Sequence, residues 1–130
     1  TGSNLPNAGN SRNPRNIKFL ELKEANNTDS SGLGPDSVYR DPWGHPYIIT
    51  FDLDYDQRLS DSLYGQPMVS QPDSADPDAT PFAGQVLNSD TGLYESQNGI
   101  MVWSLGPDGA SSSTAGARFE PNKDNITSLQ

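Results

Sequence analysis

From Tyr47 to Asp56 the chain alternates with a period of two. Tyr47, Ile49, Phe51, Leu53 and Tyr55 take the odd positions, and Ile48, Thr50, Asp52, Asp54 and Asp56 the even ones. Successive side chains of a strand point to opposite faces. The spacing therefore predicts a strand over 47–56, with the odd residues buried and the three aspartates in water. Ahead of it stands Asp41-Pro42-Trp43-Gly44-His45-Pro46-Tyr47. Two prolines and a glycine fix the backbone there, which predicts a rigid corner that launches the strand, with Trp43 filling the core beside it. Gln57-Arg58 is expected to turn the chain afterwards.

A second strand is predicted over 100–105. Ile100-Met101-Val102-Trp103-Ser104-Leu105 follows the turn dipeptide Asn98-Gly99 and is stopped by Gly106-Pro107-Asp108-Gly109. Gln85-Val86-Leu87 reads as a short strand. Asn13-Pro14 has the form of a helix start, with Asn as cap and Pro at the first helical position. The segment Ile17-Lys18-Phe19-Leu20-Glu21-Leu22 that follows suits a short helix or a strand equally. Residues 24–40 read as a loop. Residues 65–84, with prolines at 67, 72, 77 and 81 and Asp73, Asp76 and Asp78 between them, read as a long surface loop. The tail from Ala110 is polar, with Phe119 and Ile126 as its anchors. Residues 1–12 are expected to be a flexible entry and 13–130 one globular domain of the α+β class, with a small antiparallel sheet and long loops.

Composition narrows the function. Only 32% of the 130 residues are hydrophobic, so the core must be small and the loops long. The net charge of −9 and the pI near 4.2 disfavour phosphate backbones and anionic lipid, which argues against nucleic acid, and they suit cations. With no cysteine there is no disulfide, thiol catalysis or zinc-thiolate site. No apolar run approaches the roughly 18 residues that span a bilayer.

The DPWGHPY stretch running into one strand, and Ser104-Leu105-Gly106-Pro107-Asp108-Gly109 ending another, together resemble the major pseudopilins of type II secretion systems, the protein G family among the type IV pilin-like proteins. The matching residues are Asp41, Pro42, Trp43, Gly44, Pro46 and Tyr47, then Ser104, Leu105, Gly106, Asp108 and Gly109. The resemblance implies a pilin-like domain that acts as a structural subunit, not an enzyme. It also implies a calcium ion in a C-terminal loop, held by the Leu105 carbonyl and the Asp108 carboxylate, with Asp124, Asn125 and Ser128 on the closing turn. The Ser111 to Ala117 stretch follows no family pattern, and Leu129 replaces the family's terminal tryptophan. Family members begin with a long hydrophobic helix, and that helix is absent from these 130 residues. The implied partners are other pseudopilin subunits, in a homopolymer with minor pseudopilins, and the inner-membrane assembly machinery through that helix. The implied place is the periplasmic or extracellular face of a bacterial envelope, with inner-membrane anchoring before assembly. Without the helix, one sheet face is expected to need cover. A different reading is a small secreted, calcium-stabilised module that binds glycan or protein, with the 65–84 loop carrying specificity.

Other chemistry is weaker. Asp52, Asp54 and Asp56 open like an EF-hand loop, but Gln57 stands where its glycine belongs and Leu63 where its glutamate belongs. The alternation explains them as the wet face of a strand. His45 is the sole candidate general base, yet no serine lies in a nucleophile setting, and the prolines around it make it an exposed corner residue. Paired carboxylates for glycoside hydrolysis would need a cleft that so small a core hardly forms. Asn26-Asn27-Thr28 and Asn125-Ile126-Thr127 match glycosylation sequons and carry little weight in a chain that resembles bacterial proteins.

Overall fold

A computed structural model describes residues 9, 11–18 and 21–129. Strands dominate, and they form three small antiparallel sheets. Strands β1 (Gly32–Leu33) and β2 (Tyr39–Arg40) make a hairpin, as do β4 (Val86–Leu87) and β5 (Tyr94–Glu95). The main sheet has the order β3 (Ile48–Phe51), β6 (Ile100–Ser104) and β7 (Ile126–Thr127), with β6 in the middle. Among the described residues, helix is limited to one turn, α1 (Pro67–Ser70), and 3-10 turns at Phe82–Gly84 and Asn122–Asp124. The expected α+β class holds only in that loose sense. No helix among the described residues is long and apolar enough to cross a membrane.

The strand predicted over 100–105 forms as β6, and the one predicted at 85–87 forms as β4. The strand predicted over 47–56 is shorter and faces the other way. Pairing of Ile48 with Trp103 and of Thr50 with Met101 puts the even residues on the core side. Ile49 and Phe51 point out and are about half exposed, at 50% and 54%. After Phe51 the chain leaves the sheet. Asp52 accepts the Tyr55 and Gln57 N–H groups, both at 2.8 Å, and Tyr55 and Gln57 adopt positive φ. An aspartate that caps its own turn competes with the ladder, and here it wins. Leu53 and Tyr55 stand 85% and 89% exposed as a result.

The core comes mainly from a stretch that the alternation did not mark. Leu59, Leu63, Tyr64, Val69 and Phe82 pack on Met101, Trp103 and Ala117. Tyr64 stacks on Phe82 at 5.2 Å and meets the edge of Trp103 at 5.3 Å, the two arrangements that aromatic quadrupoles favour. Trp43, expected in the core, is 46% exposed, and the buried tryptophan is Trp103. Phe119 and Ile126, expected as anchors, are also exposed, and Leu129 packs against the core instead. The 65–84 stretch is not all surface, since α1 and the turn at 82–84 deliver Val69 and Phe82 inward. Asn13 opens no helix: its side chain bonds both the N–H and the carbonyl of Ile17 in a local turn. Ile17 and Leu22 are exposed, and Phe19-Leu20 lie outside the described residues, as does most of the predicted entry.

Asp61 ties the layers together. Its Oδ2 accepts Thr50 Oγ1–H at 2.5 Å from β3 and Trp103 Nε1–H at 3.2 Å from β6. Its Oδ1 accepts the N–H groups of Leu63 and Tyr64 at 2.9 and 3.0 Å. Hydrogen bonds to a charged group contribute more than neutral ones, and a donor buried without its partner costs its full desolvation. Asp61→Ala is therefore expected to destabilise the fold by at least about 3 kcal/mol, a fall of roughly 10 °C in Tm. Asp61→Asn should lose less, since one oxygen remains to accept. Thermal unfolding of both variants checks the order, and equal losses would contradict it.

The loop expected over 24–40 holds the β1–β2 hairpin. Arg40 grips Asp36 through two hydrogen bonds of 2.9 and 2.6 Å. The guanidinium lowers the Asp36 carboxyl from its usual 3.8 to about 2. A lowered folded-state pKa adds stability that is complete above the unfolded value and is lost as pH falls from about 3.8 through about 2. By NMR, Asp36 should titrate near 2 and return toward the ordinary carboxylate range in Arg40→Ala.

Candidate metal centre

The corner at 41–47 and the turn at 106–109 meet in space. Asp41 is buried at the base of the corner, and its Oδ1 accepts the N–H groups of Trp43 and His45 at 2.9 and 2.8 Å. That bond set folds the corner back on itself, with Gly44 at φ 92° where a side chain would strike the Asp29 carbonyl. His45 is thereby aimed across the molecule. Its Nδ1 donates to the Gly106 carbonyl at 2.9 Å, and its ring packs on Gly109. The expected exposed corner residue is in fact half-buried and joins two turns. The Asp41 Oδ2 lies 3.7 Å from the same ring nitrogen and has no hydrogen-bond partner among the described residues.

Gly106 is also pressed from its other side. It sits at φ 65°, and a Cβ there would come within 2.2 Å of the Asp124 carbonyl oxygen. This close approach brings the 106–109 turn against the 122–124 turn. Asp108, Glu120 and Asp124 then each place a carboxylate oxygen so that the three lie within 4.8 Å of one another. The Asp124 Oδ2 accepts the Asp108 N–H at 3.3 Å, while its Oδ1 is shut from solvent with no partner among the described residues. Three carboxylates so close repel one another, and a desolvated oxygen without a donor is costly. A hard divalent cation relieves both, so the donor set fits one.

Of the residues expected at this site, Asp108 and Asp124 are brought together. Leu105 directly precedes the turn with its side chain against the core. The Asn125 side chain turns inward, where Nδ2 donates to the Tyr64 hydroxyl at 3.0 Å. Ser128 pairs with β6, with its N–H donating to the Val102 carbonyl at 2.8 Å and its hydroxyl accepting the Val102 N–H at 3.0 Å. Burial raises the Tyr64 phenol above its ordinary pKa, against the lowering effect of the Asn125 bond.

Glu120 was not anticipated. It arrives through the 111–121 loop, and the buried Asn122 holds that loop in place. The Asn122 Oδ1 accepts the Ser112 N–H at 2.8 Å, and its Nδ2 donates to the Ser112 and Ala115 carbonyls, both at 2.7 Å. The only sequence signal was a carboxylate four residues before Asp124, which has no fixed spacing meaning outside a helix.

Asp52, Asp54 and Asp56 also gather within 4.8 Å. Their oxygens are largely spent on the turn itself, capping Tyr55, Gln57 and Arg58 N–H groups. The hydrogen bond from Asp52, then the charge of Asp56, raises the Asp54 carboxyl. Burial pushes Asp52 up, but the Gln57 N–H and other donors outweigh it and the net direction is down. Asp124 Oδ1 in the 108–124 group is instead shut from solvent with no partner among the described residues, so that group is the better cation site.

A comparison with protein-family models, with curated proteins and with solved structures finds no match to this chain.

The crowding at Gly106 sets a test. Gly92 has a similar φ of 71° but open space around it. Gly92→Ala should cost about 1 kcal/mol of left-handed strain, whereas Gly106→Ala should cost at least about 2 kcal/mol more, because two turns must separate. Urea unfolding of the pair measures the difference, and equal costs would show that the 106–124 contact is soft.

Proposed function

We propose that this chain is the globular part of a structural subunit in a pilin-like filament of the type II secretion pseudopilus kind, with a calcium ion fastening its C-terminal turns. The observation that carries the reading is the outer face of the main sheet. Ile49 and Val102 stand on it with Phe51 and Ile100, away from the core. Leu22, Leu33, Tyr39 and Tyr47 continue it into a groove of about 660 Å³. A surface of this kind marks an interface, and an uncovered one draws proteins into association. A long apolar helix laid across the sheet is the cover that a pilin-like subunit would supply. Burying a large aliphatic or aromatic side chain contributes about 1.5–3 kcal/mol, so a few such contacts hold a helix in place.

Calcium fits the second half of the reading. Asp108, Glu120 and Asp124 would supply carboxylate oxygens, and Leu105 directly precedes the same turn. Bound, the ion would screen the three charges and lock the tail that carries β7. The chain itself does the positioning: His45 holds Gly106, Gly106 abuts Asp124, and Asn122 fixes the loop bearing Glu120. No residue here needs to perform catalysis. Like subunits meeting through unlike patches would propagate a filament, set on the outer side of the inner membrane of a bacterial envelope.

The experiment is thermal unfolding in millimolar calcium and in chelator, followed by electron microscopy of the chain joined behind a leading apolar helix. Free calcium at about 100 times its Kd should stabilise the fold by roughly 2.7 kcal/mol, a rise near 10 °C that Asp124→Ala abolishes. With the helix present, filaments should form, and Ile49→Asp should prevent them. An unchanged Tm sinks the metal, and a persistent monomer sinks the subunit.

A further inference from the structure

We infer that the turn after β3 of one copy docks into a cavity beside Arg118 of the next copy, so that the molecule carries both halves of a head-to-tail contact. The inference rests on the filament reading for its purpose and on separate residues for its geometry. Leu53 and Tyr55 are the most exposed large apolar side chains described. They are held out, not left loose, because Asp52 and Asp56 cap the turn beneath them through three backbone N–H groups. A preordered aromatic loses little freedom when it binds, and such anchors carry most of the energy of an interface.

The cavity measures about 300 Å³, at the small end of binding pockets and of a size for one aromatic side chain. It lies where α1 meets the 116–119 segment, joined by the Ala117 N–H donating to the Val69 carbonyl at 2.7 Å. Met68 and Phe119 stand exposed at its rim. Arg118 lies in its wall, bonded to the Thr80 carbonyl at 3.2 Å and set over the Phe82 ring at 5.9 Å, with no carboxylate pairing it among the described residues. In a chain of net charge −9, a guanidinium without a carboxylate is a place for one. The turn brings Asp54 and Asp56 on either side of Tyr55. The wall also holds Asp73, which accepts the Ala75 N–H and leaves an oxygen for the tyrosine hydroxyl. The unpaired Arg118, the size and the exposed apolar rim thus agree on the occupant, a second copy of this chain. The two patches are unlike, so the contact is heterologous and repeats without closing.

The absence of cysteine makes the test direct. Gln57→Cys and Ser74→Cys proteins are mixed and oxidised, which leaves Tyr55 and Phe119 in place, and the disulfides are identified by mass spectrometry. The 57–74 cross-link should exceed both same-residue dimers about tenfold. Arg118→Glu should cut it by a similar factor, and Asp54→Arg in the Gln57→Cys partner should restore it. Gln71→Cys on the cavity wall replaces Ser74→Cys should that variant unfold. Same-residue dimers as abundant as the mixed one, or indifference to Arg118→Glu, overturns the contact. Filaments that form without the cross-link refute this contact alone, whereas the cross-link in a chain that makes no filament upholds the contact and refutes the filament.

Discussion

The carboxylate of Asp61 is the interaction on which the rest of the fold leans. A chain with so few apolar residues cannot hold three short strands by burial alone. One buried side chain that accepts from β3, from β6 and from its own turn does what a larger core would otherwise do. It fixes the orientation of Trp103, which sets the edge against Tyr64, which in turn stacks on Phe82. Everything on the outer side of the sheet follows from this choice of inner face. With Thr50 committed to Asp61, Ile49 and Phe51 have nowhere to go but out.

A second link, from His45 to Gly106, joins that sheet to the acidic loop. It is a modest bond of 2.9 Å, but it lies between two turns whose glycines admit no side chain. The corner, the turn after β6 and the 122–124 turn are therefore one block. The cation-fitting carboxylates lie at its edge, on residues that are 12 or more positions apart in part of the cluster (Asp108 and Glu120). Their approach is a property of packing, not of local sequence.

This explains what could be read from the residues and what could not. Strand β6 was legible because an apolar run bounded by Asn98-Gly99 and Gly106-Pro107 leaves few alternatives. The rigid corner was legible for the same reason. Strand β3 was legible as a strand but not in its facing, since period two marks two faces and says nothing of which one the partner elements cover. The core segment around Leu59 to Val69 was hidden by its proline, glycine and serines, which read as loop while Tyr64 and Val69 are buried. Of the acidic site, Asp108 and Asp124 were found by the motif, and Glu120 was not, because Asn122 rather than any spacing rule brings it in. His45 was misjudged since its partner is a carbonyl 61 residues away.

The place of β6 between β3 and β7 has a consequence for how the domain comes into being. The middle strand needs a neighbour some fifty residues upstream and another, at Ile126 and Thr127, more than twenty residues downstream. Non-local pairings of this kind form late and slowly. While Ile126 and Thr127 are still being synthesised, Met101 and Trp103 have only half their sheet, and the Trp103 ladder stands open on one edge. The nascent sheet therefore stays unfinished until Ile126 and Thr127 emerge, and its aromatic core is a problem for whatever holds the chain in the meantime.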